Sequence, residues 1–517
     1  MSSGDAESLS GRAVRDTGKL FGAQLLVGLC AVFFSAWLNR LLSAKDLAVW
    51  PLCVGLGGFV AAFSSAGMGD TFIRLIPGLQ AQGKVDEARA VLKAGLLINI
   101  TAALGIATVL YVAAVPVAAL LLHDESAGPL IRSMVVAALF IGLRDRLSWG
   151  LRATQKFGKQ ALITLIVDPC RMPLAVALYF AFGQDVRGVI LTLTIISAAA
   201  CALTLFWLRE HLFARGGLHP VWPLLRFSFP FYGVSILGFA SDRMNYLLIG
   251  SLASAEALAG YFVADSIAAY LQALSVFAMG AVAPKLSEKA AQDPESVGRV
   301  FTKCTRYLFL GLLPLHVGVA VLAGPMVRLY GGAKYAQYGY ILSILCLAMF
   351  LEAVVSLQRT HIQIFANPWR LFVGQAVQGL TNIALLMALI PLCAASGAAA
   401  VRVLVAVLLI AVSTWQLRGV VATRWDVRAA VLAATGSAVV AVALSLLAAT
   451  PLYHGVVIVL GMASGTVCYT AVLMRRLQKA DADLLAEMVP RRLVGLATRE
   501  RISAGLRTMF VRPLRTT

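Results

Sequence analysis

Long apolar runs alternate with short polar, charged connections along the chain. Fourteen such runs are centred near Val27, Gly57, Leu104, Leu139, Met172, Ser197, Ile236, Tyr270, Leu312, Cys346, Leu380, Leu408, Val439 and Val459. At about 1.5 Å of rise per residue, a run of roughly 20 crosses a hydrocarbon core about 30 Å thick. The pattern predicts an all-α polytopic membrane protein of about 14 transmembrane helices. Segment 4 carries Arg144, Asp145 and Arg146 at its end, and segment 5 contains Asp168, Pro169, Arg171 and Pro173. Segments 7 and 8, from Pro223 to Glu288, form a helical hairpin with a short turn near Ser251–Ala257. Asp242, Arg243 and Asp265 interrupt that hairpin at one common depth, roughly 10 to 15 Å below the face that holds the turn. Ionisable groups at such depth cost a few kcal/mol each and face a bundle interior or a watery cavity, so the hairpin is expected to line a polar cavity.

Composition agrees: 60% of the 517 residues are hydrophobic and 13% charged, with a mean hydropathy of +0.83. Soluble domains carry nearer a quarter charged residues. The eight cysteines (Cys30, Cys53, Cys170, Cys201, Cys304, Cys346, Cys393, Cys468) all fall in apolar segments with no CxxC or histidine pairing. They read as small buried hydrophobes, with no metal site or disulfide framework. The N-terminus is polar for too long to be a cleavable signal and is expected to stay in the mature chain.

Lysine and arginine set the orientation. Alternate connections and both ends hold roughly 35 of them against 6 on the other side (Arg40, Lys45, Arg132, Arg187, Arg328 and Lys334). Both termini are therefore expected in the cytoplasm, and the net charge of +19 is a topology signal that needs no nucleic acid to explain it. The basic tail from Arg475, with Leu484, Leu485, Met488, Leu493, Leu496 and Ile502, reads either as an interfacial helix broken at Pro490 that touches membrane lipids or as a disordered segment.

The connections between segments 2 and 3 and between segments 8 and 9 are alike in length, charge and amphipathicity, and lie six spans apart. That repeat predicts a cytoplasmic tail at 1–17, a six-span lobe at 18–210, a linker at 211–222 and a second six-span lobe at 223–420. Two extra spans at 428–474 and a basic amphipathic tail at 475–517 follow. Repeats with a binding site at their interface are a common transporter plan.

Three stretches carry a family likeness: GKLFGAQLLVGLCAVFFSAWLNRLLSAKDLAVWPL near the N-terminus, the connection SAGMGDTFIRLIPGLQAQGKVDEA, and SDRMNYLLIGSLASAEALAGYFVADSIA with its distal PKLSE. The tail's DADLLAEMVP adds to it. With them the whole chain resembles the Wzx-type O-antigen and exopolysaccharide flippases of the multidrug/oligosaccharidyl-lipid/polysaccharide exporter (MOP) superfamily. The resemblance implies two six-helix lobes around a central cavity plus two C-terminal helices. It also implies transport of an undecaprenyl-diphosphate-linked oligosaccharide across a bacterial inner membrane, for lipopolysaccharide or exopolysaccharide assembly. The implied partners are that lipid-linked oligosaccharide, membrane lipids and the polymerase or export machinery. No resident cofactor is implied, only coupling to protons or sodium.

Such a substrate needs cations for its diphosphate and neutral polar groups for its sugars. Guanidinium groups offer a fork of donors and stay charged when desolvated. Arg171 in segment 5, Arg243 in segment 7, Arg402 in segment 12 and Arg40 at the outer end of segment 1 are the candidates; each also reads as a structural ion pair or a snorkelling side chain. Asp168 and Arg171, three apart, can pair on one face beside a kink at Pro169 and Pro173. Asp168, Asp242, Asp265 and Glu352 are candidates for ion coupling, because a desolvated carboxyl exchanges protons nearer neutrality; the alternative is that they pair with arginines. Gln375, Gln378 and Asn382 form a polar stripe beside Gly374 and Gly379, suited to sugar hydroxyls or to hydrogen bonds between helices. His316 and His361 are isolated and read as structural.

Asp481-Ala-Asp483 has the form of a glycosyltransferase metal motif but no nucleotide-binding domain surrounds it, GMGDTFIRLIPG lacks the paired basic ending of a major-facilitator loop, and no GxxxxGK[ST] phosphate loop is present. A polymerase or lipid-linked glycosyltransferase would carry a sizeable outer loop, whereas the longest here, near Gly324–Tyr338, is about 15 residues. An ion-coupled exporter of small cations would need a cavity dominated by carboxylates.

Overall fold

The computed structural model describes residues 32–33, 35–154, 156–163, 167–212, 217–292, 296–365, 368–418, 425–450 and 454–476. The first apolar segment's centre, Cys30 and the basic tail lie outside them. The helices are α1 (Ala44–Ser64), α2 (Met68–Ala81), α3 (Val85–Val112), α4 (Ala114–Leu122), α5 (Gly128–Ala153) and α6 (Phe157–Leu162). They continue with α7 (Asp168–Ala181), α8 (Val186–Leu212), α9 (Val221–Asp242), α10 (Met244–Leu252), α11 (Ala255–Gln292) and α12 (Ser296–Tyr307). The last six are α13 (Leu313–Val321), α14 (Ala323–Gly331), α15 (Gly339–Phe365), α16 (Pro368–Leu417), α17 (Val427–Ala448) and α18 (His454–Arg476). The protein is an all-α multi-pass membrane protein. Among the described residues eight helices are long and apolar enough to cross a bilayer, or nine with the pair Val221–Phe229 and Phe231–Asp242, bent by 50°. Apolar segments 11 and 12 run together in α16, interrupted at Ala394, whose φ of 46° and ψ of −128° are not helical. Segment 5 is represented by the 14-residue α7; Pro169 stands in its first turn, where a missing N–H has no partner to lose.

The described residues form two compact units. One takes those up to Ser266 with Tyr330–Tyr335 and those of 367–409; the other takes Ile267–Leu329, Ala336–Ala366 and those from Ile410 onward.

In the first unit, Ser43 caps α1: its hydroxyl oxygen accepts from the Asp46 N–H at 3.2 Å, filling a donor that a helix start leaves open. At the other end the chain turns through two left-handed residues, Ala66 and Gly67 (φ 42° and 71°). A β-carbon on Gly67 would sit 2.1 Å from the Ser228 carbonyl oxygen of α9, so only glycine lets this corner approach that backbone. The carbonyls of Ser64 and Ser65, left over where α1 ends, accept from the Asn99 amide nitrogen at 3.0 and 2.9 Å once that amide is oriented to donate. The corner launches α2, on which Met68, Phe72 and Ile76, four apart, are buried against Val91, Leu92 and Leu96 of α3 and Leu147 and Leu151 of α5. This is the amphipathic connection expected between segments 2 and 3.

In the second unit, Phe301 and Cys304 of α12 pack on Phe350, Val354 and Leu357 of α15. Leu322 packs with Val440 and Leu444 of α17 and with Val457 and Tyr469 of α18. Residues Leu308–Leu312 form a π turn ahead of Pro314. Pro314 has no N–H to give the Leu310 carbonyl, and the Tyr469 hydroxyl of α18 donates to that oxygen at 2.6 Å instead. In the apolar interior of a membrane protein, a freed carbonyl needs such a substitute.

The expectation that the cysteines are buried needs correction at two positions. Cys53, Cys201, Cys304 and Cys346 are buried and Cys468 partly so, but Cys170 and Cys393 are exposed. They lie in the first turn of α7 and just before the break in α16, where a small, weakly polar side chain is uncovered at little cost.

Candidate functional site: a polar network at the break between α9 and α10

The helical run that begins at Val221 breaks at Arg243, where φ is −119° and ψ −19°. A break loosens the helical hydrogen-bond ladder, and in an apolar surrounding its carbonyls must be met by side chains. Here α16 meets them. Asn382, 2% exposed, donates through Nδ2 to the Ala240 carbonyl at 2.7 Å and lies 3.4 Å from Asn245 Oδ1. Gln375 donates from Nε2 to Ser241 Oγ at 3.4 Å, and Ser241 donates onward to the Leu237 carbonyl at 2.8 Å. Between those two amides stands Gly379, where a β-carbon would meet the Leu237 carbonyl oxygen at 3.0 Å. The small residue allows the two helices to close until short amide side chains bridge them. Gln378 is half-buried on the same helix.

A second, charged group is centred on Asp265 of α11. Arg402 of α16 donates from Nη1 to Asp265 Oδ1 at 2.6 Å, and the Tyr246 hydroxyl of α10 donates to Oδ2 at 2.5 Å. Both partners of the ion pair are mostly but not wholly covered, with side chains 17% and 14% exposed. Tyr246 is fixed by edge-on contacts with the rings of Tyr261 and Phe262 at 6.3 and 6.1 Å. Charge-assisted bonds of this kind are roughly twice as strong as neutral ones. Either charge left alone here would be costly.

The other expected site residues are spread more widely. Arg243 is exposed next to the break, its aliphatic stem resting on Gly58 of α1; among the described residues its side chain forms no ion pair or hydrogen bond. It lies within electrostatic reach of Tyr246. Asp242 is exposed at the end of α9. Arg171 is half-buried with its guanidinium 5.7 Å from the Trp50 ring centre, a cation–π arrangement. Arg40 is exposed beside Gly332. Glu352, in the second unit, accepts from Gln272 Nε2 at 2.8 Å. The Asp168 side chain lies outside the described residues. His316 and His361 are buried, each ring Nδ1 within 2.7 to 2.9 Å of the carbonyl four residues earlier. The second unit also holds an apolar hollow of about 350 Å³ lined by Leu310, Pro314, Leu444, Met462 and Tyr469 among others.

Of the expected residues, Gln375 and Asn382 thus bridge to the break and Asp265 pairs with Arg402, two groups that meet in one site through the adjacent Asn245 and Tyr246. Sequence reasoning did not single out Ser241, Asn245 and Tyr246, the α9 and α10 side of it. The signal was present: SDRMNY places six residues with four polar side chains and a tyrosine inside an apolar run, more polarity than a lipid-facing turn tolerates.

Comparisons with known proteins place this geometry in a context. The sequence profile described as "Polysaccharide biosynthesis protein" matches residues 37–339. No curated protein matches the chain by sequence. Among solved structures, the lipid II flippase MurJ in an inward closed conformation aligns with a TM-score of 0.72 at 14% identity, over 88% of this chain and 97% of that one. A multidrug resistance MATE family transporter of the MOP superfamily aligns in its inward-facing conformation with a TM-score of 0.58 at 13% identity, over 76% of this chain and 94% of that one. An outward-facing conformation of such a transporter aligns with a TM-score of 0.55 at 13% identity, over 77% and 93%. At these identities the likeness is one of fold.

Proposed function

Because this chain belongs to the family of polysaccharide biosynthesis proteins, we propose that it is a flippase. Its cargo is an oligosaccharide repeat unit linked through a diphosphate to a polyprenyl lipid, carried from the cytoplasmic to the outer leaflet of a bacterial inner membrane by alternating access. The family match is the observation that carries this reading, and the MurJ-like fold supports it. In this reading six-helix lobes rock about a central cavity, both termini are cytoplasmic, and the chain does no covalent chemistry. Arg171, Arg243, Arg40 and Arg402 meet the diphosphate, and Gln375, Gln378 and Asn382 sit near the sugars. Movement is coupled to protons or sodium through carboxylates such as Asp242, Asp265 and Glu352, with no resident cofactor. Polymerase and export machinery then receive the flipped unit.

The test is to delete the gene and locate the lipid-linked repeat unit. Accumulation facing the cytoplasm is the expected result; accumulation on the outer face indicates a polymerase instead and ends this reading. Within the complemented strain, Arg171→Gln or Arg243→Gln is expected to abolish surface polysaccharide at unchanged protein level, and normal export removes that residue from the set. The MATE-like fold supports a second reading, an ion-coupled exporter of small cations. It predicts that deletion raises sensitivity to cationic drugs and leaves the lipid-linked unit undisturbed.

A further inference from the structure

Arg402 is a candidate for holding the substrate's phosphate, yet a carboxylate of the protein already takes a bond from its Nη1. The carboxylate is itself held. Tyr246 donates to one Asp265 oxygen while Arg402 donates to the other, so a single anionic oxygen meets the guanidinium in a charge-assisted bond of the kind that a phosphate oxygen also accepts. Neither partner is sealed, with 17% and 14% of the side chains exposed, and the exposed Arg243 lies within electrostatic reach of the same tyrosine.

We propose that Asp265 is an internal stand-in for the substrate's phosphate: clamped by Tyr246, it holds Arg402 in place until an arriving diphosphate takes over that guanidinium. This deepens the flippase reading and rests on it only in that the headgroup is anionic. The logic is electrostatic. A guanidinium left unpaired in a mostly covered site is costly, so an empty transporter needs a counter-anion at Arg402. A carboxylate carries less charge than a diphosphate and yields to it, returning Asp265 to Tyr246 alone. Binding of the headgroup is thereby linked to release of α11 from α16, the two helices that the ion pair ties together. Tyr246 and Asp265 are positioning residues in this scheme and Arg402 is the residue that touches the ligand.

The proposal predicts a gain where a merely structural ion pair predicts a loss. Full-length protein in detergent or nanodiscs is titrated with geranyl diphosphate, with inorganic pyrophosphate and with geraniol as separate arms. Asp265→Asn removes the competing charge and is expected to tighten geranyl diphosphate binding about tenfold, the ratio that corresponds to about 1.4 kcal/mol. Arg402→Gln is expected to weaken it by at least that factor. The double variant Asp265→Asn, Arg402→Gln removes both charges of the pair together. It is expected to remain as monodisperse and heat-stable as the parent while binding as weakly as Arg402→Gln, which keeps the test decisive if a single variant fails to fold. Pyrophosphate binding with the same ranking identifies a site for the phosphates alone; geranyl diphosphate binding without it identifies one that also needs the chain; either supports the exchange. Geraniol binding that follows the same ranking overturns it, as do an Asp265→Asn variant no tighter than the parent and a double variant that binds as well as the parent. The assay needs no export, so it can fail while the flippase reading stands, and the deletion experiment can fail while the exchange stands.

Discussion

Two carboxylates outside the spans, Asp426 and Asp70, behave in opposite ways with pH because their surroundings differ. Burial of Asp426 would by itself raise its pKa. The Ala429 N–H, which it caps at 2.9 Å, and Arg306, which donates from Nε at 2.6 Å, outweigh that and hold it below the usual carboxylate range. A lowered folded-state pKa means stability that is present above the ordinary carboxylate value near pH 4 and is lost as pH falls through the folded one. Replacing Asp426 with Ala removes an N-cap and leaves Arg306 without this partner, and should cost about 1 to 3 kcal/mol. Asp426→Asn keeps a capping oxygen and should cost less. Asp70 is the reverse case: burial raises its pKa, and Arg74 and Arg146 offset only part of the shift. A raised value favours the fold at acid pH and withdraws that contribution as pH rises through it. Asp70→Asn should therefore leave stability at neutral pH unchanged or raise it by up to about 1 kcal/mol. Thermal unfolding midpoints of the purified protein at pH 7 and pH 4 check both. Asp426→Ala should lose most at pH 7 and Asp70→Asn should lose nothing there, and the opposite order would refute this account.

Single positions decide how whole helices are built. Pro314 frees the Leu310 carbonyl, and the α18 tyrosine that takes it up is 159 residues away. Tyr469→Phe keeps the ring and removes only the donor, so it should cost about 1 to 3 kcal/mol, the penalty of a buried acceptor left unpaired. Pro314→Ala in that background should restore much of it by returning a backbone donor, a double-variant cycle readable in thermal midpoints. At the break in α16, Ala394 adopts a positive φ of 46°, a strained conformation for any residue with a β-carbon. Ala394→Gly should stabilise by up to about 1 kcal/mol, and Ala394→Val should destabilise by more. Much of this element structure was legible beforehand. The hairpin turn falls between Leu252 and Ala255, as the polarity of its segment indicated, and α2 is the amphipathic connection that GMGDTFIRLIPG spelled out. Other features were hidden. Periodicity cannot say that Asn382 reaches a carbonyl 142 positions away, and nothing around Tyr246 in the sequence points to the carboxylate that gives it a role, because Asp265 lies on a different helix.

The molecule as a whole rests on the asymmetry of its charges, which local packing does not set. Counted along the expected alternation of segments, about 35 lysines and arginines fall on one side against 6 on the other, and the inverted orientation would move many cations across the bilayer, so the ends and the connections after even-numbered segments are expected in the cytoplasm. The α7–α8 hairpin offers a sharp place to test this. It turns through Gly183 and Gln184, both at positive φ (68° and 67°), and Asp185 accepts from the Arg187 N–H at 3.0 Å; its exposed, short turn tolerates a fused reporter better than any helix interior. Alkaline phosphatase joined after Gly183 should be active, and joined after Gly217, past the far end of α8, should be inactive, with a fluorescent protein giving the mirror result. Both fusions active, or the pattern reversed, would break the link between the charge count and the fold's direction. It would also undo the proposed route, since a lipid-linked sugar built in the cytoplasm must meet the cytoplasmic opening first. The same pair of fusions measures how strongly charge sets the direction. Neutralising Arg209 and Arg215 together should raise the Gly217 phosphatase signal only slightly, because the preceding connections still carry the bias.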